Sequence, residues 1–84
     1  MTTSTRDEIS DEIARIIKEL MPELEGEEIT PESTFEDLGM DSLNRVDLLS
    51  GAESAFDIEV LDEQVANLVR VRDLTDLVAA SRGV

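Results

Sequence analysis

Apolar residues recur at helical spacing in three stretches of the chain. Ile9, Ile13, Ile16, Ile17 and Leu20 fall at i, i+4, i+7, i+8 and i+11, which predicts a helix over about residues 6–20. Thr5 followed by Glu8 has the spacing of a capping box at its start. Pro22 ends it, because the residue before a proline is pushed out of the helical region. Leu43, Val46, Leu49 and Phe56, with Leu48, Ala52 and Ala55 beside them, predict a second helix over about residues 42–56, with Asp41 as N-cap. Gly51 inside it costs roughly 1 kcal/mol relative to Ala, so a packing reason for a small residue is expected there. Val71, Leu74, Leu77 and Val78 predict a last helix over about residues 72–81, poorly capped by Arg70 and Val71, with Gly83 beyond its end.

The segments between are less regular. Residues 22–40 carry no sustained period, and five Glu lie from Glu23 to Glu32 among Pro22, Gly26 and Pro31. A structureless loop of that length is unusual in a small domain and is often functional. Ile29, Phe35 and Leu38 are its expected anchors, and Gly39 fits a turn of positive φ. Residues 57–61 fit either a short connection or a strand, and Asp62 is a candidate cap for a short helix over 63–68. The pattern as a whole predicts an all-α fold: a small antiparallel bundle of three main helices plus one short helix, with a long loop between the first two. One domain over residues 1–84 is expected, frayed at 1–4 and 82–84.

Composition narrows the chemistry. With 21 Asp+Glu against 7 Lys+Arg, the net charge is −14, which repels bare nucleic acid and favours partners presenting Lys and Arg. The chain has no Cys and no His, so disulfides, thiol nucleophiles and Ser-His-Asp or Cys-His catalysis are excluded. No EF-hand loop is present, and no metal-ligand set is expected. The polar start, Met1 to Arg6, lacks the apolar stretch of a signal peptide, and no apolar run approaches a membrane span. A soluble, cytoplasmic, monomeric protein is the expectation. High charge with few aromatic residues leaves disorder as a minor alternative.

The most informative stretch runs from Phe35 to Leu49, with Asp41-Ser42-Leu43 at its centre. Ser42 stands at the first position of a helix, beside free backbone N–H groups and the positive end of the helix dipole, where a phosphate ester is electrostatically welcome. From position alone, Ser42 is equally an ordinary first-turn residue. The stretch closely resembles the phosphopantetheine attachment site of acyl carrier proteins. Phe35-x-x-Leu38-Gly39 matches the lead-in, and Val46-Asp47-Leu48 follow in the family's pattern. Phe56-x-Ile58-x-Val60 resembles the segment before the family's third helix, and Val71-x-Asp73-Leu74 the start of its last, so the resemblance covers about residues 6–80.

The resemblance implies a carrier, not an enzyme. A phosphopantetheinyl transferase would attach 4′-phosphopantetheine, taken from coenzyme A, to Ser42, and the arm's thiol would hold acyl groups as thioesters. Its partners would be acyl-loading and acyl-processing enzymes with basic docking patches. They would meet Asp41, Asp47, Glu53 and Glu59, with Asp57, Asp62 and Glu63 nearby; Leu43 and Val46 are either the apolar centre of that contact or core residues. Arg45 belongs to the same docking set.

The sequence departs from fatty acid carriers in four places. Asn44 replaces a frequent acid, Arg45 adds a positive charge, and Ser50-Gly51-Ala52 replace larger apolar residues, which would reshape or shrink an acyl cleft. Leu61 stands where proline is common. With an Arg:Lys ratio of 6 to 1, these tilt the reading toward polyketide or other specialised biosynthesis. An aminoacyl or peptidyl carrier is the nearest alternative, although Gly39-Met40-Asp41-Ser42 lacks the Gly-Gly-x-Ser pattern of peptidyl carriers. An unmodified acidic helical adaptor is the alternative of another class.

Overall fold

Ile9, Ile13, Ile16 and Ile17 line the buried face of α1 (Arg6–Leu20), which packs against both α2 (Ser42–Phe56) and α4 (Val71–Arg82). The computed structural model describes residues 6–83, so the capping box expected at Thr5 and the fraying expected at 1–4 lie outside the described residues. The short α3 (Asp62–Val65) completes an all-α bundle, and no strand forms among the described residues. The core joins the α1 isoleucines to Leu48, Leu49, Ala52 and Phe56 of α2 and to Val71, Leu74, Val78 and Ala79 of α4.

Gly51 has the packing reason its position called for. A Cβ there would stand 3.0 Å from Cγ2 of Ile16, so the small residue lets α2 approach α1 closely. The C-cap of α2 is Asp57, in the left-handed region at φ 56°, and residues 57–61 are a connection.

Two helix starts differ from expectation, for one reason. Asp62 lies inside α3 instead of capping it: Leu61 is the N-cap, and its N–H donates to Oε1 of Gln64 at 2.8 Å. The helix also ends at Val65, followed by a turn, short of residue 68. Likewise α4 starts at Val71 and is well capped, because Oδ2 of Asp73 accepts from the N–H of Arg70 at 2.9 Å and of Val69 at 3.0 Å. In both, a side chain on the first turn reaches back to the amides ahead of it. Arg82 is helical and donates through Nη1 to the carbonyl of Phe56, and Gly83 is the left-handed C-cap.

The long loop is not structureless. It opens with a single 3₁₀ turn, Pro22–Leu24, and continues through hydrogen-bonded turns. Phe35 is buried, and Ile29 and Leu38 pack against the core as expected; Met21, Leu24 and Met40 are further buried anchors. The loop is stitched to the start of α4: the N–H of Phe35 donates to the carbonyl of Val69, Val71 to Ser33, and Arg72 to Pro31, at 2.9–3.0 Å. Thr34 and Arg70 form an isolated antiparallel bridge. Arg72 also pairs with Glu32, at 2.9 Å.

Candidate functional site

The stitching fixes where α2 begins. Phe35 sits under the turn, the N–H of Met40 donates back to its carbonyl, and Gly39 turns the chain at φ 80°. Asp41 is then extended and caps the helix: its Oδ1 accepts from the N–H of Asn44 at 2.9 Å, and Oδ1 of Asn44 accepts from the N–H of Asp41 at 3.2 Å. Asn44 therefore closes a reciprocal capping box, a role its reading as a lost acid had missed; the Asp-x-x-Asn spacing was the available signal.

Ser42 is the first residue of α2 and is exposed. Its hydroxyl makes no hydrogen bond among the described residues, and the N–H groups of Ser42 and Leu43 donate to none of them. An ester on that hydroxyl displaces no internal contact. Its phosphate would lie beside two open amides at the positive end of a 15-residue helix. The site fits a phosphodiester on an arm leading into solvent.

The expected docking residues divide by geometry. Leu43 is 74% exposed and Val46 55%, so neither is a core residue, and Asp47 and Glu59 are also exposed. Asp41 is exposed while it caps the helix. Glu53 is half-buried, and its Oε2 accepts from the N–H of Val60 at 2.8 Å, which ties the connection after α2 to that helix. Arg45 differs most from the outward-facing charge expected of it. Its guanidinium lies over the Phe35 ring, 5.8 Å from the centroid, and its Nε is buried with no hydrogen-bond partner.

Beside this patch an open groove of about 370 Å³ runs along α2, lined by Val46, Leu49, Ser50, Glu53, Val60 and Val65. Behind it is a cavity of about 10 Å³ lined by Phe35, Arg45, Leu48, Leu49, Val65 and Leu68. Of the three small residues expected to reshape a cleft, only Ser50 lines the groove; Gly51 abuts Ile16 and Ala52 is buried in the core. Among the described residues, no helix is long and apolar enough to cross a membrane.

This bundle, with an exposed serine at the start of its second long helix, defines a phosphopantetheine-binding domain. The family model described as "Phosphopantetheine attachment site" matches residues 11–78. The acyl carrier protein of Prochlorococcus marinus (strain MIT 9515) is 35% identical over 80 residues, covering 94% of this chain and 99% of that one. The chloroplastic acyl carrier protein SF2 of Brassica campestris is 27% identical over 78 residues; they span 93% of this chain but 58% of that protein's length. A crystal structure of an acyl carrier protein from Thermotoga maritima superimposes with a TM-score of 0.82 at 30% identity, over 93% of this chain and 91% of that one. The chain belongs to the acyl carrier protein family. Members of that family are carriers rather than enzymes, and the family match supports 4′-phosphopantetheine as the covalent prosthetic group.

Proposed function

We propose that Ser42 is the attachment point and that the protein carries acyl intermediates between enzymes of a specialised biosynthetic pathway, such as polyketide assembly, as a single domain. One observation carries the assignment: Ser42 combines an exposed, unengaged hydroxyl with two open amides at the start of α2. The arm, once attached from coenzyme A by a phosphopantetheinyl transferase, supplies the thiol that this Cys-free chain lacks. Leu43, Val46 and Asp47 surround the arm's base as an apolar centre with an acidic edge, which suits enzymes that present basic patches around an apolar spot. The specialised pathway is favoured by the polar groups along the groove: Ser50 and Glu53 line it, and Arg45 lies behind it.

Peptide mapping after incubation with a phosphopantetheinyl transferase and coenzyme A tests the assignment. The modification is expected on the peptide containing Ser42 and on no other hydroxyl; modification at Ser50 or Ser54, or at none, contradicts it. Competition between oxygen-bearing and saturated acyl groups for loading tests the pathway, and a preference for long saturated chains would point to general fatty acid synthesis.

A further inference from the structure

Arg45 is out of keeping with the other arginines. Arg6 reaches Asp76, Arg15 reaches Glu12, Arg70 and Arg72 reach Glu32, and Arg82 reaches the carbonyl of Phe56. Arg45 has no acceptor among the described residues, in a chain with 21 Asp+Glu. Its Nε is buried, but the outer nitrogens Nη1 and Nη2, equally unpaired, are not. Asp41, four residues back on the chain, is no substitute, because its Oδ1 is taken by the N–H of Asn44.

Arg45 also has the wrong sign for its place. It is the fourth residue of α2, whose first turn carries no acid. A cation near a helix N-terminus opposes the helix dipole, whereas an anion there is favoured. Side chains on a helix lean toward its N-terminus, so Arg45 covers the preceding turn, and Cβ atoms three residues apart lie about 5–6 Å from each other. Ser42 is that neighbour. The ring beneath the guanidinium agrees with this placement. Phe35, whose centroid is 5.8 Å from Cζ of Arg45, accepts through its carbonyl from the N–H of Met40, two residues before Ser42. The unpaired guanidinium therefore belongs to the same end of α2 as the exposed Ser42 hydroxyl and the open amides of Ser42 and Leu43.

We propose, resting on the attachment reading above, that Arg45 is a positioning residue for the arm: its Nη1 and Nη2 donate to the phosphodiester anion on Ser42 while its stem stays over Phe35. An anion there supplies the acceptor that the arginine lacks and the charge that the helix end lacks. Arg45 from the side and the two amides from the helix end hold the base of the arm, and only the thiol end is left to swing.

Two experiments test this. In the first, wild type with and without the arm, its place on Ser42 shown by peptide mass, is followed by NMR. Attachment should shift the Arg45 Nη–H signals and slow their hydrogen exchange about tenfold, the factor for a bond worth about 1.4 kcal/mol. The phosphorus should tumble with the domain in wild type and show fast local motion in Arg45→Met, with Arg45→Lys in between because it keeps a point charge. Nη–H signals unmoved by attachment would overturn the role, and need no variant. So would equal phosphorus motion in wild type and a folded Arg45→Met, or Nη–H signals that respond only when the transferase is added, which would assign Arg45 to a carboxylate on the partner. The second experiment needs no attachment, so it stands even if Ser42 takes no arm and the attachment reading fails. Ser42→Glu places an anion at the same position. It should raise the melting temperature about 1–4 °C more with Arg45 present than in an Arg45→Met background. An equal effect in both backgrounds would show that Arg45 does not meet an anion at residue 42, and would overturn the proposal.

Discussion

Replacing Asp73 tests whether the start of α4 is a structural keystone for the site. One oxygen of Asp73, Oδ2, accepts from the backbone N–H of both Val69 and Arg70. The same short segment receives the loop: the carbonyl of Val69 accepts from Phe35, whose own carbonyl accepts from Met40, two residues before Ser42. Losing a helix cap costs about 0.5–2 kcal/mol, and two amides served by one charged acceptor place Asp73→Ala near 1.5 kcal/mol. At about 4–8 °C per kcal/mol for a domain of this size, melting should fall by roughly 6–12 °C. Asp73→Asn keeps an acceptor oxygen without the charge and should lose about half as much.

The acidity of Asp73 adds a second axis to that test. The bonds from Arg70 and Val69 N–H hold the Asp73 carboxyl below its ordinary range, helped by the charges of Arg72 and Arg70. Because the folded value is the lower one, the stabilisation is complete above the unfolded value, near 3.9, and is lost as pH falls through the folded value. The melting gap between wild type and Asp73→Asn should therefore be constant from about pH 5 to 7 and shrink toward pH 3. Circular dichroism melts at three pH values measure it. A gap for Asp73→Ala within about 2 °C at pH 7, or a gap to Asp73→Asn that widens in acid, would refute the reasoning.

Further outcomes follow from single sites. Gly39→Ala places a Cβ at φ 80° and should cost about 1 kcal/mol in a denaturant titration, most visibly as faster hydrogen exchange at Met40. Gly51→Ala should lower stability by about 1 kcal/mol, because the overpacking against Ile16 outweighs the better helix propensity, and should become stabilising in an Ile16→Ala background. Leu43→Ala should change stability by less than about 0.5 kcal/mol, since Leu43 is 74% exposed, yet slow modification by the transferase. With a net charge of −14, melting temperature should rise as salt goes from about 0.01 to 0.15 M and the screening length falls from about 30 to 8 Å.

What could be read from the sequence depended on how local its cause was. α1 and α2 were legible to the residue because an isoleucine stripe, Pro22 and Asp41 mark their faces and ends. The starts of α3 and α4 were not, because Gln64 and Asp73 cap from inside the helix. Met21, Leu24 and Met40 were missed as anchors because isolated apolar residues in an acidic loop have no period. Ser42 was legible as a candidate through its neighbours, and its open hydroxyl and amides are the geometry that position called for. Arg45 was not legible: on the helix pattern it reads as a solvent-facing charge. It turns inward because Phe35, brought under it by the stitching to α4, offers a ring face. The engagement of Glu53 with Val60 was likewise not legible, since it depends on the turn after α2.

The central claim is tested most directly by intact mass of wild type and Ser42→Ala after incubation with a promiscuous phosphopantetheinyl transferase and coenzyme A, both proteins first shown to be helical. A phosphopantetheine-sized increase in wild type alone is the predicted result. An equal increase in Ser42→Ala, or none in folded wild type with several transferases, would contradict the assignment.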